Sequence, residues 1–258
     1  VAVLEVDDIS IRFGGLQALG NVSVKAQELE IVGLIGPNGA GKTTLFNCIT
    51  GFYRPNEGRV RFLGTDVTDV PIHERAALGM GRTFQQVGLV KGATVLENLL
   101  TAMHTKVDYG SAAGIVGVPA TWAEERVLRV RAMEILELVG LAALADRRIA
   151  GLPYGTMKNV EMAAVLATDP EILMLDEPTS GMGPEESHQF GDVLLRLRKE
   201  LGLTVLMIEH HVPLVVAVCD YVYCLNFGQL LTEGKPEAVR THPEVITAYL
   251  GEEAEDVA

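Results

Sequence analysis

Apolar positions follow three rhythms along this chain. Up to about position 63 they alternate with polar residues or gather in short β-branched runs: Val1 to Val6, Ser10 to Phe13, Val22 to Lys25 and Arg59 to Leu63. Turn residues at Gly14-Gly15 and Asn56-Glu57-Gly58 punctuate them, which predicts antiparallel strands. A second rhythm is the unbroken apolar run. Glu30 to Ile35, Glu171 to Leu175, Leu203 to Ile208 and Tyr221 to Leu225 are of this kind and are separated by helical patterns, as buried parallel strands are. The third fills the stretch from about Gly92 to Asn159, where Thr94 to Met103 and Trp122 to Val139 carry apolar residues at helical spacing. The pattern predicts an α/β wound sheet built from positions 1–91 and 160–258, flanked by an antiparallel β-subdomain and interrupted by an α-helical subdomain at 92–159. Within that insert Tyr109 to Pro119, rich in Gly and Ala, reads as a loop, and Gly251 to Asp256 reads as a solvated acidic tail.

Composition narrows the class. The chain has 258 residues, 48% of them hydrophobic, enough for a sizeable core. Against 21 Lys and Arg stand 34 Asp and Glu, a net charge of −13, which argues against a surface that binds nucleic-acid backbone by counterion release. The three cysteines, Cys48, Cys219 and Cys224, lack metal-ligand spacing and suit a reducing compartment, where packing is their role. The longest apolar stretches, such as Val212 to Cys219, fall well short of the ~18 residues that a membrane span needs.

One segment carries explicit chemistry. Gly36-Pro37-Asn38-Gly39-Ala40-Gly41-Lys42-Thr43 matches the full G-x-x-x-x-G-K-[ST] phosphate loop and follows the apolar run ending at Ile35. Glycines let the backbone turn its N–H groups toward a triphosphate, Lys42 reaches the terminal phosphates, and Thr43 holds Mg²⁺. A helix beginning near Thr44 aims its positive end at the anion. Further along, Ile172-Leu173-Met174-Leu175-Asp176-Glu177 is an apolar strand ending in two carboxylates, the form of a Walker B motif. There Asp176 serves the metal shell and Glu177 polarises an attacking water. Together the two motifs predict a P-loop NTPase core of the RecA-like kind that uses ATP and Mg²⁺.

From Leu4 to Glu252 the chain resembles the ATP-binding cassette ATPases that power membrane transporters. The motifs that carry the resemblance are a Q-loop, Arg82-Thr83-Phe84-Gln85, a D-loop, Ser180-Gly181-Met182-Gly183-Pro184, and a switch histidine in Ile208-Glu209-His210. The resemblance implies that Phe13 stacks on adenine, that Gly36 to Thr44 hold the phosphates, and that Gln85 joins Thr43 and Asp176 at the metal. It assigns hydrolysis to Glu177 and His210 with Lys42. It also implies transmembrane permease subunits as partners, docked in a groove walled by Leu89 to Leu100, a second cassette as homo- or heterodimer, an extracytoplasmic binding protein acting indirectly, and a peripheral place on the cytoplasmic face of the membrane. Ile11-Arg12-Phe13-Gly14-Gly15-Leu16, Gly81 to Gln85 and Val245 to Glu252 look like the branched-chain amino acid importers, and the resemblance implies that import; lipopolysaccharide-export and urea-import ATPases share much of this wording and stand as the alternatives.

At one place the chain departs from that family. The signature, usually LSGGQ or LSYGQ, is here Leu152-Pro153-Tyr154-Gly155-Thr156. In the family this loop covers the γ-phosphate held by the other subunit, and proline offers it neither a hydroxyl nor a backbone N–H. A hydrogen bond to a charged group is worth about 1.5–3 kcal/mol, so its loss weakens such a site by roughly 10- to 150-fold. The helix that follows, with Lys158-Asn159 and Glu161, also lacks the arginines usual there. These departures predict an attenuated site across the dimer and keep a low-turnover regulatory cassette as an alternative.

Overall fold

The computed structural model describes residues 1–83, 88–103 and 119–255, with the side chains of 119–124 and 250–255 excepted. Two sheets share the work. Strands β1 (Ala2–Phe13), β2 (Leu16–Gln27), β4 (Glu57–Phe62) and β5 (Thr65–Asp66) form an antiparallel sheet in the order β2-β1-β4-β5. Strands β3 (Ile31–Ile35), β6 (Met80–Arg82), β7 (Ile172–Asp176), β8 (Thr204–Ile208), β9 (Tyr221–Asn226) and β10 (Gln229–Gly234) form the second, in the order β10-β9-β3-β8-β7-β6. All of its pairings are parallel except β9 with β10.

The expected strand runs occur with two differences. Val1 to Val6 and Ser10 to Phe13 are one strand, not two, because the irregularity at Asp8 (φ 50°) is a bulge that shifts the pairing register and does not end it. Glu57 and Gly58, expected in a turn, already belong to β4, where Glu57 pairs with Ser10.

Period-two alternation in the buried strands feeds two cores. Val32, Leu34, Ile172, Met174, Leu206 and Ile208 point toward the antiparallel sheet and helix α1 (Lys42–Thr50). Ile31, Ile35, Leu173, Leu175, Val205 and Met207 point the other way. The second face is covered by α5 (Tyr154–Leu166), α6 (Pro184–Leu201) and α7 (Val212–Val218), while α2 (Ile72–Ala77) packs beside β6.

Between β6 and β7 lie α3 (Val95–Met103), α4 (Pro119–Leu138), a 3-10 turn at Ala142–Leu144, and α5. The stretch closes on itself: Val95 and Leu96 donate to the carbonyls of Arg147 and Ala145, and Ile149 and Ala150 donate to those of Ala93 and Lys91. Helix α5 runs straight through position 159, so the helical stretch and the sheet share an element there. The chain ends in α8 (Pro236–Arg240) and α9 (Pro243–Glu255); the expected acidic tail is helical as far as Glu255. The expected loop from Tyr109 lies outside the described residues up to position 118, and Pro119 already opens α4.

Candidate functional site

Strand order places the chemistry. The loops leaving the carboxyl ends of β3, β8 and β7 are neighbours, and these carry Gly36 to Gly41, His210 and Glu177 in turn. Carboxyl ends of parallel strands are where wound α/β sheets bind ligands.

The phosphate loop is set by backbone constraints. Gly36 has φ 145°, and a Cβ there would stand 2.1 Å from the carbonyl oxygen of Leu225; at Gly41 (φ 97°) it would meet Leu19 and the carbonyl of Ala18 at 2.8 and 2.9 Å. Only glycine fits either position. Gly39, at the tip, is exposed with nothing within 4 Å of its missing Cβ. The loop is braced from within by Ala40 N–H to Pro37 O (3.2 Å) and from β9 and β10 by Gly228 N–H to Ala40 O (3.0 Å). Its first residue is held by helix α9, where the Tyr249 hydroxyl accepts the Gly36 N–H at 2.9 Å.

Helix α1 starts at Lys42, two residues before the expected Thr44, with left-handed Gly41 as its cap. Its first-turn N–H groups therefore face the loop without partners inside the helix, and its first turn holds no acidic residue, so an anion is favoured there. Lys42 is buried and curls over the loop, its ammonium donating to Gly36 O (2.6 Å) and Pro37 O (2.9 Å). Asn38 and Thr43 are exposed and Thr44 half-buried. An open glycine tip, a poised ammonium and a helix start without acidic residues fit a polyphosphate. For the metal the chain offers hard oxygen donors, Thr43 and Asp176, which suit Mg²⁺.

Asp176 ends β7 and is buried. Its Oδ2 accepts from Arg82 at 2.9 Å; the same guanidinium donates to Asn47 Oδ1 and Thr50 Oγ1 on α1, both at 2.8 Å, and lies against the rings of Phe46 and Phe52. Glu177 follows in the left-handed region (φ 49°), its N–H bonded to Ile208 O (3.1 Å). Its Oε1 lies 3.7 Å from Nδ1 of the half-exposed His210. Phe13 is 45% exposed at the end of β1 and meets Tyr53 edge-on, with ring centroids 5.1 Å apart. Gln85, with Phe84, lies outside the described residues.

The altered signature sits where α5 begins. Leu152 and Thr156 are half-buried, Pro153 is exposed in an extended cap position (φ −55°, ψ 150°), and its carbonyl accepts the Met157 N–H at 3.0 Å. Tyr154 packs on Gly181 of the D-loop stretch, and buried Gly155 faces Met182 and Glu186. One turn on, Lys158 and Glu161 form a buried ion pair at 3.7 Å. In place of the missing arginines the helix therefore carries an ordered pair of its own.

Three side chains take part that the sequence reading gave no role. Arg82 opens the Q-loop motif, and Tyr249 lies in the segment Val245 to Glu252; neither position alone announces a contact. Glu209, 1% exposed, accepts from Thr179 N–H and Oγ1 with one oxygen and from the His210 and His211 N–H groups with the other. An acid closing an otherwise apolar strand run was the available signal.

Fold and loop together define a phosphate-loop nucleotide-binding protein. Comparison with known proteins places it more closely. Residues 19–180 match the family described as ABC transporter, and residues 229–255 match that described as branched-chain amino acid ATP-binding cassette transporter. The chain is 44% identical over 250 residues to the high-affinity branched-chain amino acid transport ATP-binding protein BraF of Pseudomonas aeruginosa, covering 97% of this chain and 98% of that one. Among solved structures it is similar to the ADP conformation of MJ1267, an ATP-binding cassette of an ABC transporter, with TM-score 0.85 and 34% identity over 98% of this chain and all of that one. It also resembles the dimeric MJ0796 cassette bound to ADP and Pi, with TM-score 0.74 and 26% identity over 90% of this chain and 98% of that one. The chain belongs to the ATP-binding cassette family and is the ATP-binding, ATP-hydrolysing subunit of a membrane transporter.

Proposed function

We propose that this subunit drives import of branched-chain amino acids by hydrolysing MgATP in a cassette dimer docked on transmembrane permease subunits. What supports this reading is that the phosphate loop and the Glu177–His210 pair leave the carboxyl ends of neighbouring strands of one sheet, in a chain whose last elements, residues 229–255, match a branched-chain amino acid transporter family.

Phe13 carries the adenine, and the backbone from Gly36 to Thr44 holds the phosphates. Lys42 exchanges its two loop carbonyls for phosphate oxygens. Mg²⁺, when bound by Thr43, Asp176 and Gln85, offsets phosphate charge. Glu177 orients the attacking water and accepts its proton, while His210 steadies the Glu177 carboxylate; ATP and water leave as ADP and phosphate. Leu152 to Thr156 cover the ATP of the second cassette. The permease seats in a groove of about 900 Å³ lined by Ala76, Met80, Leu89, Ala102, Ala164 and Val165, between α2 and β6 on one side and α3 and α5 on the other. Among the described residues no helix is long and apolar enough to cross a membrane, in keeping with a peripheral subunit on the cytoplasmic face. An extracytoplasmic binding protein supplies the cargo.

Reconstitution with permease and binding protein tests the reading: ATP-dependent uptake of leucine, isoleucine or valine is expected, and Lys42→Ala weakens ATP binding measured by calorimetry. Uptake of another cargo class, or equal ATP affinity in the variant, overturns it.

A further inference from the structure

The Glu177–His210 pair is assembled from two loops that share no strand, and a second carboxylate, that of Glu209, fastens both. Glu209 is the first residue after β8; its N–H donates to Leu34 O at 3.3 Å, registering it against the strand that feeds the phosphate loop. Its Oε1 accepts the Thr179 N–H at 3.0 Å and the Thr179 hydroxyl at 2.6 Å. Its Oε2 accepts the N–H groups of His210 at 3.1 Å and His211 at 3.2 Å. One oxygen therefore serves the turn after Glu177, which Ser180 N–H to Glu177 O closes at 3.2 Å, and the other serves the backbone of His210 itself.

From this geometry we infer that Glu209 is a positioning residue for ATP hydrolysis, clamping the Glu177 turn to the His210 loop so that the two side chains meet. The inference rests on the roles proposed for Glu177 and His210. A carboxylate suits the place because it is an acceptor only, and all four neighbours are donors. Charge-assisted bonds of this kind are the strong ones, and desolvation at 1% exposure makes each unmet donor costly. Glutamine has the same shape, but its NH₂ would face either the two N–H groups of His210 and His211 or the N–H of Thr179 beside a hydroxyl that can accept, so at least one backbone donor is left unmet and the hold on one of the two loops is weakened. Glu177 needs such fastening: a left-handed φ of 49° is unfavourable for a residue with a side chain and persists only where its surroundings enforce it.

The test uses the reconstituted complex, with ATP affinity, thermal unfolding and single-turnover ATP hydrolysis measured for Glu209→Gln, His210→Ala and the double variant. Glu209→Gln is expected to lower the hydrolysis rate about tenfold or more with ATP affinity changed less than about threefold, the split expected when only the chemical step is disturbed. If Glu209 acts through the pair, adding Glu209→Gln to His210→Ala costs less than about twofold further. Losses that multiply, or an affinity loss as large as the rate loss, overturn the inference. Should Glu209→Gln fail to fold, Thr179→Val removes one of the four donors and is expected to slow hydrolysis several-fold, and Thr179→Ser to recover most of it; equal rates in both variants overturn the clamp. Wild-type rates in His210→Ala and Glu177→Gln would instead refute the roles on which it rests.

Discussion

Arg82 and Asp176 are joined at 2.9 Å with 8% and 5% of their side chains exposed, so the carboxylate read as a metal ligand is also one half of a buried ion pair. The other ends of the guanidinium hold Asn47 and Thr50, which ties β6, β7 and the phosphate-loop helix together. Pairing through Oδ2 leaves Asp176 a second oxygen for its proposed metal role, since an ionised carboxylate has several acceptor sites.

Removing one partner of a buried pair strands the other charge, and Arg82→Ala is therefore expected to lower the unfolding free energy by about 3–5 kcal/mol. Urea denaturation without nucleotide measures it. In an Asp176→Asn background the same change should cost much less, because the stranded charge is gone; a full, additive loss there would show the packing of Arg82, not its charge pairing, to be what matters.

Glu177 combines an unfavourable backbone with a proposed catalytic carboxylate. Glutamine in its place keeps the shape and loses the base, so Glu177→Gln is expected to bind ATP and stop turning over. Glycine also removes the base, but it adopts φ 49° without strain, so Glu177→Gly is expected to stop turnover and raise stability by up to about 1 kcal/mol. A destabilised Glu177→Gly protein would show that the side chain's contacts outweigh the strain.

Alkaline pH probes the core through its acids. Burial pushes the Cys48 and Cys224 thiols from 9.0 up to about 11, against the lowering effects of Arg75 and Lys42 respectively, and raises Cys219 further. Burial likewise pushes Tyr223 from 10.0 up to about 12. The native state thus keeps protons that the unfolded chain gives up first. Their contribution is full below pH 9 and is lost as pH rises, the Cys48 and Cys224 parts by about 11 and the Tyr223 part by about 12. Unfolding free energy should therefore fall across that window, and Cys48→Ala with Cys224→Ala should flatten the fall; an unchanged slope would assign it to other groups.

What could be read in the sequence is what short-range pattern encodes. The apolar run ending at Ile35, the glycines after it and the carboxylates after Leu175 are local, and each stands where its pattern put it. The bulge at Asp8 was hidden because it interrupts the alternation without ending the pairing with β2 and β4. Strand β6, three residues long, owes its existence to β7, and β10 to its hairpin with β9; neither has a run of its own to announce it. Arg82 and Glu209 escaped for a related reason. Their partners lie 32 to 94 positions away for Arg82 and 30 for the Thr179 side of Glu209, so their roles exist only once the strands are ordered. The expected acidic tail is helical because α9 continues a segment already anchored by Tyr249 on Gly36.

Pro153 allows the proposed signature to be tested apart from stability. Its extended backbone is one that serine at a helix cap adopts, and a serine there accepts a first-turn N–H and stabilises the helix by about 1 kcal/mol over a residue without a capping side chain. Losing proline frees the unfolded chain and costs about 0.4–1 kcal/mol, so Pro153→Ser should leave overall stability nearly unchanged. It adds a hydroxyl and a backbone N–H at the loop proposed to face the ATP of the second cassette, and Thr156→Gln adds the family's amide. In a heterodimer with a partner cassette of intact signature, the ATP held by Lys42 of this chain meets the good loop, whereas the partner's ATP meets Pro153. Glu177→Gln in this chain should then halt the transporter, while the equivalent partner variant costs much less. Pro153→Ser with Thr156→Gln should raise turnover at the partner's site, by up to the roughly 10- to 150-fold that one charge-assisted hydrogen bond represents. Steady-state ATPase of the reconstituted complex decides: equal losses from the two glutamate variants, together with no gain from the restored signature, would show the two sites to be equivalent and the proline to be without effect on hydrolysis.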